Sequence, residues 1–187
     1  MKVVSIVGMV GSGKTEVAKL FEQKGFARIR FGDVTDKEIR RRRLKLDENN
    51  ERYIRELLRQ EHGMAAYAKL NLPIIDQTLK DSDVVIDGVY SWEEYLFLKD
   101  YYADNFCVVA VWAPPKKRYA RLTGRQDRRL TTAEATSRDR AEIENINKGG
   151  PIVMADFTII NESSFDDLAE ETKRLIPKIL QQSHGEK

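Results

Sequence analysis

The eight residues Gly8-Met9-Val10-Gly11-Ser12-Gly13-Lys14-Thr15 limit the possible folds more than any other stretch, because they fit the phosphate-binding pattern G-x-x-x-x-G-K-[ST]. A polyphosphate is held by backbone N–H groups converging on its oxygens. The winding this demands is obstructed by a Cβ, and Gly8, Gly11 and Gly13 relieve it. With Ser12 inside the loop, Lys14 is expected to neutralise the β- and γ-phosphate oxygens of ATP, and Thr15 to place its hydroxyl on Mg²⁺. The flanks agree. Val3-Val4-Ser5-Ile6-Val7 reads as a buried parallel strand, and Glu16 to Lys24 as an amphipathic helix with Val17, Leu20 and Phe21 turned inward.

At 187 residues the chain suits one α/β domain spanning 1–187. Lys plus Arg total 32 against 30 Asp plus Glu, a formal net charge of +2, so any pull towards nucleic acid or a membrane rests on local clusters. No apolar run reaches the roughly 18 residues of a membrane helix. The first strand follows Met1-Lys2 directly, and a cytoplasmic protein is expected. The single cysteine, Cys107, lies in an apolar strand pattern and reads as a small core residue rather than a nucleophile.

Five apolar runs alternating with helical patterns predict a three-layer fold with a parallel five-stranded sheet ordered 2-3-1-4-5. The second run, Phe26 to Phe31, ends in Gly32-Asp33. Strand C-termini face the ligand crevice of such sheets, so Asp33 and Arg30 are expected to point towards whatever Lys14 holds. Residues 34–80 show only helical patterns: Val34 to Lys45, Asn49 to Glu61, and Met64 to Leu79 interrupted at Pro73. Residues 32–80 are therefore expected to overhang the crevice as an acceptor-binding insertion. In Arg40-Arg41-Arg42-Arg43, successive helical positions point four ways; most read as solvated, with one or two at an anionic acceptor.

The third strand, Asp83 to Asp87, ends in a carboxylate followed by Gly88, the form of a Walker-B element, which places Asp87 on a water of the Mg²⁺ shell. Ser91 and Glu94 form a capping box for a helix whose Trp92, Tyr95, Leu96 and Leu98 supply apolar surface. Phe106 to Trp112 is the fourth strand, stopped by Pro114-Pro115. A helix from Thr132 to about Lys148 is expected to stop at Gly149-Gly150-Pro151. Phe157 to Asn161 is the fifth strand, and Ser164 caps a last helix to about Leu180, beyond which the chain is expected to fray.

Between Lys116 and Arg140 nine basic residues face three acidic ones. Arg118, Arg121 and Arg125 share a helical face, and Gln126 to Leu130 reads as an exposed loop between two helices. Residues 116–140 thus suit a lid that brings guanidinium groups onto a transferring phosphate. Arg125, Arg128, Arg129 and Arg138 are the candidates, unranked; a solvated basic helix pair is the alternative reading.

Taken together these segments resemble the P-loop kinases of the nucleoside-monophosphate kinase and dephospho-CoA kinase group over nearly the whole length. Phe31-Gly32-Asp33 and Val85-Ile86-Asp87-Gly88 are similar to adenylate-kinase-like proteins. Arg118-Tyr119-Ala120-Arg121-Leu122 and Ala155 to Asn161 followed by Phe165-Asp166-Asp167-Leu168 look more like dephospho-CoA kinases. The resemblance implies ATP and Mg²⁺ as cofactors and a small nucleotide-type acceptor. It places a lid arginine on the transferred phosphate, Arg121 in the nucleotide site, and the segment from Asn161 to Ser163 beside the adenine. In dephospho-CoA kinases a carboxylate at the position of Asp33 acts as base; in the adenylate-kinase-like proteins the same turn caps a helix or orients metal-bound water. Two departures stand out. Val89-Tyr90-Ser91 replaces the phenylalanine-proline-arginine segment that binds the AMP phosphate in adenylate kinases, and the proline-leucine-leucine segment of dephospho-CoA kinases is missing.

Other nucleotide-binding classes fit less well. A GTPase needs N-K-x-D, whereas Asn147-Lys148 is followed by Gly149-Gly150, and no D-x-x-G switch is present. The remaining alternatives are a regulatory ATPase module without a small acceptor and a kinase acting on nucleic-acid ends along the arginine clusters. The latter would show a steep salt dependence of oligonucleotide binding.

Overall fold

In the computed structural model, which describes residues 1–181, five short strands form one parallel sheet. They are β1 (Val3–Val7), β2 (Ala27–Arg30), β3 (Val84–Asp87), β4 (Phe106–Trp112) and β5 (Phe157–Ile160), in the order β2-β3-β1-β4-β5. Register places Ile6 and Arg30 on either side of Asp87, and Trp112 beside Ile160, so the carboxyl ends of all five strands lie along one edge.

The nine α-helices of the described residues are α1 (Lys14–Glu22), α2 (Asp33–Arg41), α3 (Glu48–His62), α4 (Ala66–Thr78), α5 (Trp92–Tyr102), α6 (Pro115–Thr123), α7 (Thr132–Ile146), α8 (Gly149–Val153) and α9 (Phe165–Gln181). Both faces of the sheet are apolar, as a doubly covered parallel sheet requires. Alternation along β1 sorts the two cores: Val3 and Val7 pack with Phe31, Ile54, Tyr67 and Leu98, while Val4 and Ile6 pack with Val17, Phe21, Leu175 and Ile179 of α1 and α9. The three layers predicted by the sequence are present, with α2, α3 and α4 together on one side between β2 and β3. Cys107 is buried in β4, where loss of solvation pushes its thiol up to about 12.

Helix ends follow local chemistry. Ser91 and Glu94 close the predicted capping box at α5, Thr131 and Glu134 form another at α7, and Ser164 Oγ accepts from the Asp167 amide at the start of α9. The predicted fraying concerns 182–187, outside the described residues.

Several local expectations are corrected. Helix α4 runs through Pro73 without interruption, because Pro73 and Lys69, whose carbonyl it leaves unbonded, are both exposed and water can take that acceptor. The stop after α7 is Asn147, in the left-handed region at φ 50°, and Gly149-Gly150-Pro151 begins α8 instead. Gly150 is small because α8 presses onto the indole of Trp92. Leu96 is exposed, not packed. The four consecutive arginines are all exposed; Arg41 and Arg42 are spent on Glu38, and none of the four lines the cavity described below.

Candidate active site

The phosphate-binding loop is fixed by its surroundings as well as by its glycines. Gly13 has φ 105° and a Cβ there would overlap the Asn161 amide; a Cβ on Gly8 would run into the Val111 carbonyl. Asn161, at the end of β5, is buried. Its Nδ2 donates to Ser12 O at 2.8 Å, and its carbonyl and Oδ1 accept from Arg121 Nη2 at 2.9 and 3.2 Å. Arg121 thus stands beside the loop, braced by Asn161. Ser12 Oγ is buried without a hydrogen-bond partner, a free hydroxyl within the cradle. Arg118 is not a lid group. It is buried, donates to Val10 O at 3.0 Å, and makes a two-pronged ion pair with Asp139 at 2.9 and 2.6 Å. Helix α6 ends at Thr123, so Arg125 lies beyond it and the predicted three-arginine face dissolves.

Lys14 Nζ donates to Gly8 O at 2.8 Å and Met9 O at 2.9 Å. Its pKa is pushed down to about 7, by burial first and by the neighbouring ammonium of Lys148 second, with Glu142 and Asp87 pulling the other way. Among the described residues Lys14 has no ion pair, and an arriving polyphosphate would favour its charged form, which burial disfavours.

Thr15 Oγ1 donates to Asp87 Oδ1 at 3.4 Å, which sets the predicted hydroxyl–carboxylate pair side by side at the mouth of the loop. The other oxygen, Oδ2, accepts from Arg28 Nη2 at 2.6 Å. Among the described residues no group of three acidic, His or Cys side chains converges as a metal cage. One hydroxyl and one carboxylate fit Mg²⁺, which keeps water and takes phosphate oxygens as its remaining ligands.

Beside this site α2, α3, α7 and the start of α4 enclose a cavity of about 580 Å³. Its walls are ion pairs, three of which cross between elements distant in sequence while Arg138–Glu142 lies within α7. Arg128 reaches Asp36 at 2.8 Å and Glu51 at 3.1 Å, and Arg138 reaches Glu48 at 2.9 Å and Glu142 at 3.1 Å. Lys148, almost fully buried, donates to Glu142 at 2.6 Å and sits 5.2 Å from the centre of the Tyr90 ring. Glu142 stays ionised despite its burial because Lys148 and Arg138 hold its pKa low. The α6–α7 connection is pinned at its end: Leu130, expected to be exposed, is buried with Val10, Leu122 and Ala135.

The structure brings Lys14, Thr15, Asp87, Arg121 and Asn161 to the loop, and Arg128 and Arg138 to the cavity. Asp33 opens α2, half exposed, paired with Arg30 at 3.2 Å. Arg129 is exposed, and neither it nor Arg125 has an ion pair among the described residues; Arg125 is influenced by Arg138 and Arg128. Sequence reasoning missed Arg28, Asp36, Glu48, Glu51, Glu142 and Lys148. Only Arg28 carried a signal, standing two residues before Arg30 on the same face of β2.

A parallel sheet in this order, with a phosphate-binding loop after its central strand and a basic helical hairpin over the strand ends, is the P-loop fold of the kinase type. Residues 4–157 match the family model AAA_18, described as "AAA domain". A UPF0200 protein of Thermococcus kodakarensis is 37% identical over 182 residues, covering 95% of this chain and 98% of that one. The chain belongs to the AAA domain family and to the UPF0200 proteins. Among solved structures, a shikimate kinase from Bacteroides thetaiotaomicron superposes with a TM-score of 0.61 at 14% identity, covering 94% of this chain and 98% of that one. A dephospho-CoA kinase from Campylobacter jejuni gives 0.53 at 15% identity, covering 95% and 97%. These likenesses establish the shared fold. No helix of the described residues is long and apolar enough to cross a membrane.

Proposed function

We propose that the chain is a nucleotide-dependent phosphotransferase acting as one kinase domain over 1–187, with 32–80 receiving a small acceptor and 116–140 serving as the lid. The observation that carries this reading is the adjacency of two sites: the loop lysine, Lys14, and the cavity-lining Glu142 and Arg138 lie within electrostatic reach of one another. A donor held by the loop and an acceptor held in the cavity would meet between them. Loop amides, Ser12 and Lys14 hold the ATP phosphates in line, and Arg121 with Asn161 borders the base. Thr15 and Asp87 would hold Mg²⁺, which when bound would neutralise charge on the phosphate oxygens. Arg28, bonded to Asp87 Oδ2, orients that carboxylate and leaves Oδ1 towards the Thr15 hydroxyl.

The acceptor is of nucleotide type, a nucleoside monophosphate or dephospho-CoA. A phosphate acceptor is already anionic near neutral pH, whereas a sugar hydroxyl benefits from a base, for which Asp33 at the end of β2 is the candidate. Arg128 and Arg138, and with closure Arg125 and Arg129, supply positive charge to the transferring group. The decisive experiment is a panel of acceptors with Mg-ATP, comparing wild type with Lys14→Ala. Turnover is expected to fall by about a hundredfold or more while the melting temperature holds. Wild-type turnover in Lys14→Ala would refute the reading, as would ATP hydrolysis indifferent to every acceptor.

A further inference from the structure

Six arginines line the cavity, and five are already spent. Arg30 pairs with Asp33 and Asp36, Arg52 with Glu56, Arg55 with Glu48 and Glu51, and Arg128 and Arg138 with the partners given above, all at 2.7 to 3.3 Å. The sixth, Arg59 on α3, is different. Its side chain is only 10% exposed, yet Nε and Nη2 are buried without a hydrogen bond. Its nearest carboxylate oxygen, Glu94 Oε1, stands off at 3.8 Å and is itself unpartnered. Nη1 makes one long contact, 3.4 Å, to Arg55 O. The guanidinium lies against the Tyr67 ring, 5.1 Å from its centre.

Glu94 cannot close this gap without leaving the helix start, because its Oε2 is committed to the amides of Tyr90 and Ser91. Burial also brings its pKa up to about 7, so near neutral pH it is an incomplete counter-ion. A buried cation without full hydrogen bonding is costly, and an incoming anion that completes its bonds recovers that cost. Every other arginine of the cavity already holds a carboxylate within 3.3 Å, so Arg59 is the one whose buried donors gain most from a ligand.

The geometry points to Arg59 as the anion anchor of the acceptor: the acceptor carries a single anionic group, a carboxylate or a phosphomonoester, that seats on this guanidinium. Its remaining body meets no second unpaired guanidinium, since Asp36, Glu48 and Glu51 neutralise the other arginines of the wall, so a second anionic group would go uncompensated. This rests on the phosphotransferase reading and sharpens it, favouring one phosphoryl group over the pyrophosphate of dephospho-CoA. It also accounts for the missing arginine after Asp87-Gly88: the charge comes from α3 instead.

The test uses the full chain saturated with Mg²⁺ and a non-hydrolysable ATP analogue, so that the loop is filled, and titrates it calorimetrically with inorganic phosphate, acetate and pyrophosphate. One site for phosphate or acetate is expected, whichever is tighter naming the group, with pyrophosphate weaker. Arg59→Met should bind at least tenfold more weakly, Arg59→Lys in between, and Arg174→Gln, an exposed control on α9, like wild type. Should Arg59→Met fail to fold, Arg59→Lys carries the comparison. Equal anion affinity in wild type and the Arg59 variants overturns the proposal, as does tighter binding of pyrophosphate, or no anion binding while the analogue binds normally. If the analogue itself does not bind, the phosphotransferase reading fails, and with it this inference.

Discussion

The phosphate-binding loop and the neighbouring cavity are built on opposite plans. The loop is held by backbone geometry and by side chains pointing in at it from behind: Asn161 to Ser12 O, Arg118 to Val10 O, Lys14 to the carbonyls of Gly8 and Met9. The cavity is held by charge pairs between side chains of α2, α3 and α7. A polyphosphate donor is the same in all chemistry of this kind and suits a rigid cradle. Exchangeable ion pairs instead let a wall re-form around a particular acceptor. The contrast predicts that damage on the loop side is large and structural, and damage on the cavity side small and selective.

The largest effect is expected behind the loop. Asp139 is the buried counter-ion of Arg118 and also accepts from the Tyr119 hydroxyl at 2.9 Å. Asp139→Ala strands a buried guanidinium, which costs about 3–5 kcal/mol. Denaturant unfolding should show that loss; a change below about 1 kcal/mol would mean that the loop does not depend on this pair. Next comes Gly13→Ala. Its left-handed φ and the clash with Asn161 force the loop open, and nucleotide affinity is expected to fall on the order of a hundredfold, with stability lowered by about 1–3 kcal/mol. Unchanged affinity in a nucleotide titration would contradict the rigid-cradle view.

This division also explains what was legible in the sequence. The sheet order, the loop, the Thr15–Asp87 pair and the capping box at Ser91 were all readable, because each follows from a local pattern or from hydrophobic alternation. The cavity was not. Asp36, Glu48, Glu51 and Glu142 look like solvated charges on amphipathic helices, and only their pairing with arginines and a lysine from elements distant in sequence or from a later turn turns them inward. Arg118 received no role for a related reason: its i, i+3 spacing to Arg121 places both on one face of α6, but that face meets both the loop and α7. Lys148 had no signal, since a lysine beside two glycines normally marks an exposed turn.

A smaller effect separates charge from fold at Lys14. Its pKa is about 7 in the folded chain and 10.5 for an ordinary lysine, so the unfolded chain binds the extra proton between those values. Lys14 therefore destabilises the fold fully below pH 7, and this fades as pH rises towards 10.5. Lys14→Met should be more stable than wild type by on the order of 1 kcal/mol at pH 6, with the advantage shrinking by pH 10. An advantage that grew with pH would refute the assignment.

The smallest effect belongs to the cavity wall. Arg128 is 38% exposed and joins the α6–α7 connection to Asp36 and Glu51. Pairs this open to solvent contribute about 0–1 kcal/mol, and Asp36 retains Arg30 at 3.2 Å when Arg128 is removed. Arg128→Gln should thus leave the unfolding midpoint nearly unchanged. Its consequence lies elsewhere, because on the phosphotransferase reading the pairs that tie the connection to α2 and α3 also hold 116–140, the proposed lid, against the proposed acceptor-binding segment. Without them the lid opens more readily, and the acceptor KM is expected to rise several-fold while the KM for ATP, set by the loop, stays put. Hydrogen exchange should quicken at residues 124–130 and not at 8–15. If both KM values rose together, the two regions would be one cooperative unit and the distinction between cradle and wall would fail.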